Sequence, residues 1–185
     1  MPILQKKELF LVEGKSAHNA LSLAIDNKTQ SVYAIQGKLA NVEKLSHNAL
    51  AENLECQQLL ARLGGSFTQD YQVENLSCSH VLILMDPDID GLHSSALVLS
   101  FLARYCKPLL AARLLSIVKP PMFKLSAVEC KPTYAWTEEE LQLLLSRSGN
   151  KDIEITRYKG VAQYSIDECH HHLLHAASRR AYLLS

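Results

Sequence analysis

Residues 80–93 read HVLILMDPDIDGLH, and this stretch decides the fold. His80 to Met85 is an unbroken apolar run of strand length, the pattern of a strand covered on both faces. It stops at three alternating aspartates, Asp86, Asp88 and Asp90, followed by Gly91. A strong helix is expected from about Leu92 to Tyr105. Pro87 restrains Asp86 to extended backbone, so Asp86 and Asp88 point the same way if strand geometry persists. Carboxylates crowded at a sheet edge repel one another unless a cation neutralises them. Hard oxygen ligands that leave room for water suit Mg²⁺ or Mn²⁺. The local alternative is that Asp88 and Asp90 cap the helix that follows. The run also opens like an EF-hand loop, but its seventh position is Leu92 and its twelfth is Leu97, where calcium loops need Glu.

Upstream, Glu8 to Val12 is a second nearly continuous apolar run, closed by Glu13-Gly14-Lys15-Ser16. Ser16 is the expected N-cap of a helix from Ala17 to Ile25. Val32 to Ile35 reads as a strand ending at Gln36-Gly37-Lys38. Val42 to Leu63 carries apolar residues at helical spacing and stops at Gly64-Gly65. Downstream, Leu114 to Val118 reads as a strand, and Met122 to Leu125 with Thr133 to Trp136 as a hairpin. Thr137 caps a helix whose first turn holds Glu138, Glu139 and Glu140, where the helix dipole favours acids. Ser148-Gly149-Asn150 reads as a loop, Ile153 to Arg157 as a last strand, and Asp167–His175 and Arg179–Leu184 as two short helices.

Strand alternating with helix predicts an α/β fold with a largely parallel sheet flanked by helices. The expected division is a main domain over residues 1–118 and a small C-terminal extension over 119–185. In such sheets function gathers beyond the carboxyl ends of the strands, which draws Glu13 toward the three aspartates.

The composition narrows the function classes. Of 185 residues, 48% are hydrophobic and 21% charged, which excludes a disordered tail or a coiled-coil rod. Nineteen basic residues balance nineteen acidic ones, which excludes nucleic-acid binding by bulk positive charge but not by a local patch. Cys56, Cys78, Cys106, Cys130 and Cys169 are scattered and form no CxxC pair, as in a reduced cytoplasmic protein. No run approaches the roughly eighteen apolar residues of a membrane span, and the N-terminal apolar run is too short for a signal peptide. His171 and His175 lie one helical turn apart, but no Glu follows the first histidine and a third ligand is lacking. Arg179-Arg180 could touch phosphates, although such pairs usually cover a helix surface.

Five segments in order carry a resemblance: ELFLVEGKSA from Glu8, QGKLANVEK, ILMDPDIDGLH, KPPMFKL and IEITRYKG. Together they resemble the TOPRIM-containing part of bacterial type IIA topoisomerase B subunits, gyrase B and topoisomerase IV B, from about Glu8 to the C-terminus. The resemblance implies a TOPRIM, Rossmann-like sheet with a small tail subdomain. It implies Mg²⁺, with Mn²⁺ as an alternative, held by Glu13, Asp86 and Asp88 with Asp90 assisting. It implies catalytic roles for Glu13, as ligand or as acid/base, and for Lys38. Lys15, Lys38, Arg157 and Lys159 become the DNA-phosphate contacts. The implied partners are DNA and an A-type subunit with the catalytic tyrosine, with no membrane and with homodimerisation left open. No segment resembles the ATPase domain or the tyrosine-bearing winged-helix domain, so ATP enters only if an ATPase domain is separate.

The departures from the family pattern are specific. Where the family reads EGDSAGG, this chain has Lys15, His18 and Asn19. Gln36 stands where the family usually has a basic residue before Gly-Lys. DADVDGAHI reads DPDIDGLHS, with every acid kept, whereas RYKGLGEM becomes Arg157-Tyr158-Lys159-Gly160-Val161-Ala162-Gln163-Tyr164. A stand-alone metal-dependent nuclease and a non-catalytic binder of a topoisomerase or DNA are therefore the rival readings.

Overall fold

Along β1 (Glu8–Glu13) the side chains divide by parity. Leu9 and Leu11 enter one apolar cluster and Phe10 and Val12 another, all four at most 1% exposed. β3 (His80–Ile83) repeats the division, with Val81 and Ile83 on the first side and Leu82 on the second. A sheet covered on both faces requires this, and it is why these strands carry no polar alternation.

The computed structural model describes residues 6–128, 130–148 and 152–185. With β2 (Gln30–Ile35), β4 (Leu115–Val118) and β8 (Ala181–Leu184), the main sheet has the order β2-β1-β3-β4-β8. The first four strands are parallel, and β8 runs antiparallel to β4. One face is covered by α2 (His47–Glu52), α3 (Leu54–Arg62), α4 (Ile89–Tyr105) and α5 (Lys107–Ala111). The other is covered by α1 (Gly14–Ser22) and by a tail contributing Tyr158, Val161, Tyr164, Cys169, Leu173 and Leu174. A second, antiparallel sheet has the order β6-β5-β7, built from β5 (Phe123–Ala127), β6 (Thr133–Ala135) and β7 (Ile153–Arg157). α6 (Glu138–Arg147) closes its small core through Leu141, against Phe123, Leu125 and Ala135.

The mostly parallel sheet, the hairpin and the Thr137 cap, whose hydroxyl accepts the Glu140 N–H at 3.1 Å, are as the sequence predicts. Other elements differ. The first helix begins at Gly14, not after Ser16, because Gly14 adopts φ +76° and lets β1 turn directly into α1. The stripe from Val42 to Leu63 is broken at Asn53, whose side chain accepts the Cys56 N–H at 3.0 Å, while Ser46 caps α2. Local capping there outcompetes continuation of one helix. α4 starts three residues early, at Ile89, because Asp88 accepts the Gly91 N–H at 2.7 Å. Gly149 and Asn150 of the expected loop lie outside the described residues.

The C-terminal segment departs most. Residues 181–184 are a strand, not a helix, since β4 offers a free edge that pairs Leu115 with Leu184 and Val118 with Ala181. Before it, α7 (Ile166–Glu168) widens into a π turn over Cys169–Leu174, with the His175 N–H donating to His170 O at 2.8 Å. The turn brings the rings of His170 and His175 to 5.6 Å, in place of the expected His171–His175 pair. Arg179 is bidentate on Glu8, at 2.5 and 2.8 Å, and Arg180 lies 3.7 Å from the Trp136 ring while pairing with Glu140. Both arginines pin the tail to the body. Among the described residues no helix is long and apolar enough to cross a membrane.

Candidate functional site

β1 and β3 are parallel neighbours in register from Glu8 opposite His80 to Leu11 opposite Ile83, so their chains leave the sheet on the same side. Glu13 is the last residue of β1, and Asp86 follows β3 by three residues. α1 and α4 both begin at this edge, directing the positive ends of their dipoles toward the acids. The approach of α4 is close: a Cβ at Gly91 would lie 2.1 Å from the Asp86 carbonyl oxygen. Only glycine lets the helix start there.

Four carboxylates share this edge. Asp86 is half-buried, and its Oδ1 accepts the Val161 N–H at 2.7 Å. Burial pushes its carboxyl above the ordinary value; the Val161 N–H opposes that, and the charges of Asp88 and Glu13 push it further up. Asp88 is exposed and spends Oδ1 on capping α4. Asp90 is exposed and accepts from Lys38 Nζ at 2.7 Å, which holds its carboxyl below the usual range. Glu13 occupies the N-cap position of α1 without a side-chain capping bond. The Lys38 ammonium is held above its ordinary pKa chiefly by its bond to Asp90, with Glu13 and Asp88 adding their fields. One ammonium thus serves several mutually repelling acids.

Of the other expected cations, two lie in segments that border this edge. Lys15 is exposed in the first turn of α1, and Lys159 is exposed next to Gly160, which touches Asp86. Arg157 belongs to the second sheet, its guanidinium 5.8 Å from the Phe123 ring. Among the described residues no three His, Cys, Asp or Glu side chains are gathered tightly enough to chelate an ion as they stand. Asp88 and Asp90 each have an oxygen engaged elsewhere.

Residues 8–117, more than half of the chain, match the family model of the Toprim domain. The chain belongs to the Toprim family. It is 30% identical over 175 residues to the DNA gyrase B subunit of Metamycoplasma arthritidis, covering 94% of this chain and 27% of that protein. It is 35% identical over 167 residues to the DNA topoisomerase 4 B subunit of Staphylococcus aureus, covering 89% and 25% respectively. The chain therefore spans about a quarter of the length of these relatives. Its fold superposes on the DNA-binding, cleavage and re-ligation domain of Plasmodium falciparum topoisomerase II with a TM-score of 0.79 at 23% identity, covering 91% of this chain and 24% of that one.

Toprim domains bind a divalent metal, typically Mg²⁺. The donors here fit such an ion in kind. All are hard carboxylate oxygens, and the upward push on Asp86 by its neighbours' charge is the penalty a dication would remove.

Three contributors at or near this edge carry weaker sequence signals or none. The Val161 N–H is a backbone group, which no residue pattern announces. Gly160 sits against Asp86 within the RYKG tail segment. Glu168 anchors that tail: Oε1 accepts from Lys124 Nζ at 2.7 Å and from the hydroxyls of Tyr134 and Tyr158 at 2.9 Å, and Oε2 accepts the Ser165 N–H at 2.8 Å. Burial would raise its carboxyl, but these donors together bring it down to about 2. Its signal was present in the spacing Ser165-x-x-Glu168, a capping box.

Proposed function

We propose that this Toprim chain is the metal-holding module of a type IIA DNA topoisomerase. In this reading it supports cleavage and re-ligation of DNA together with an A-type subunit whose tyrosine attacks the phosphodiester. What supports it is that β1 and β3 are parallel neighbours whose ends carry Glu13 and the aspartates, with the charges of Glu13 and Asp88 felt at Asp86 and those of Asp90, Glu13 and Asp88 at Lys38. Glu13, Asp86 and Asp88 would hold the ion, with Asp90 assisting. A bound Mg²⁺ or Mn²⁺ supplies charge to polarise the scissile phosphate and to stabilise the departing 3′ oxygen.

The chain's own residues do the rest. Glu13, which does not cap its helix, either completes the ligand set or exchanges a proton at the 3′ oxygen. Lys38 would leave Asp90 for a DNA phosphate, giving up one charge-assisted hydrogen bond for another. Lys15 and Lys159 would extend that contact along the backbone, and Arg157 would add a bidentate one from the second sheet. Lys15 places a positive charge where relatives of this pattern carry an acid, which shifts that position from the ion toward phosphate. The neutral overall charge makes such binding local to this edge.

Reconstitution tests the proposal. The chain, a type IIA A subunit from the same genome, supercoiled plasmid and Mg²⁺ should give covalent complexes of the A subunit with DNA on denaturation. Asp86→Asn combined with Asp88→Asn should abolish them, and Asn retains the cap of α4. Nicking by the chain alone would instead establish a nuclease. Equal complex formation by the double variant would remove these aspartates from the chemistry.

A further inference from the structure

The match to the Toprim family ends at residue 117, yet the hydrogen bond on half-buried Asp86 comes from far beyond it. Val161 opens a short 3₁₀ turn (Val161–Gln163), and its N–H donates to Asp86 Oδ1 at 2.7 Å. Immediately before it, Gly160 lies flat against the same carboxylate: a Cβ there would meet Oδ2 at 3.2 Å and Cγ at 3.4 Å. The turn is itself fixed. Val161 is 0% exposed, Gln163 Oε1 accepts the Lys159 and Gly160 N–H groups, and Tyr158 and Tyr164 stack at 4.1 Å on either side of it. Tyr158 is tied in turn to Glu168 at 2.9 Å.

We infer that the Gly160–Val161 peptide is a positioning element of the metal site. Its N–H holds one oxygen of Asp86 and its bare Cα leaves the other free to turn toward the ion. This rests on the reading of Asp86 as a metal ligand and deepens it: the ligand set is competent only with the tail docked. Asp86 sits on a short loop between β3 and α4, and without an external donor a half-buried carboxylate there has several rotamers of similar cost. A donor fixed by its own packing selects one. Partners that orient a ligating carboxylate commonly contribute about 10- to 100-fold in metal affinity.

A proline at position 161 isolates the hydrogen bond. It removes the N–H while changing the side chain, the first position of a helical turn accepts proline, and Gly160 at φ −161°, ψ 156° is already in the extended conformation that must precede one. Val161→Ala controls for the buried side chain. Mn²⁺ binding is measured by electron paramagnetic resonance on the full chain, with circular dichroism and thermal unfolding on each variant. The expected result is that Val161→Pro loses about 10-fold or more in Mn²⁺ affinity relative to Val161→Ala. Gly160→Ala, which presses a methyl on Asp86 without altering the backbone, should weaken binding in the same direction while unfolding like the wild type. If Val161→Pro or Gly160→Ala folds and binds Mn²⁺ like its reference, the positioning role is wrong and the metal site stands. If the wild-type chain binds no Mn²⁺ at this edge, the metal reading fails and the positioning role fails with it.

Discussion

Asp86 and Glu168 are two carboxylates partly withdrawn from water and joined by one tail segment, yet they sit at opposite extremes. Glu168 receives four donors, one of them a cation, and is held down to about 2 despite its burial. Asp86 receives a single backbone N–H among the described residues, faces two further negative charges, and is pushed up. Similar chemistry is satisfied in one place and left wanting in the other. A saturated buried anion fixes structure, here by tying Lys124 of β5 and Tyr134 of β6 to the tail and to its Tyr158. An unsaturated one, beside two further acids and with its only donor an uncharged N–H among the described residues, is poised for an external cation.

The contrast breaks most readily at Glu168. Glu168→Ala leaves an ammonium and two phenols short of their acceptor, which should cost about 2–4 kcal/mol of unfolding free energy in urea. The lower part of that range reflects Lys124, whose side chain is 30% exposed. In the same assay Asp86→Asn with Asp88→Asn should change stability by less than about 1 kcal/mol, since relief of repulsion offsets the weakened bond to Val161. If the acid-edge variant were the more damaging, the two regions would have to exchange roles.

A smaller effect sharpens the same contrast through pH. His172 is packed against Tyr134 and Trp136, with ring centroids 4.0 and 5.7 Å away. Burial and the neighbouring charge of His171 pull its pKa down to about 4, against the field of Glu168. The folded protein therefore keeps His172 neutral while the unfolded chain takes up a proton near its ordinary 6.5. Stability should decline as pH falls from about 6.5 to 4, by at most about 3 kcal/mol. It should decline again from about 4.5 toward 2 as the unfolded chain protonates Glu168 first. His172→Phe should flatten the first decline and leave the second; equal slopes in both proteins would show that His172 is not the sensor.

The sheet and the acids were legible because each is written in residue identity. β1 and β3 are covered on both faces, so their apolar runs admit no other reading, and the aspartates after β3 stand out at a strand end. The unread features depended on what lay across the fold. Residues 181–184 have no strand signature of their own and extend because β4 exposes an edge. The helical stripe up to Leu63 was continuous to the eye, while the side chains of Ser46 and Asn53 were acting as caps. The donor on Asp86 is a peptide N–H seventy-five residues away in the chain, for which no side-chain pattern exists.

The shared cation is tested most directly by growing crystals of the chain, soaking them in Mn²⁺ and measuring anomalous scattering at the manganese edge. The expected result is a peak within about 2–2.6 Å of carboxylate oxygens from Glu13, Asp86 and Asp88, with Lys38 drawn away from Asp90. At saturating Mn²⁺, an acid edge without a peak, or manganese confined to His170 and His175, would contradict it.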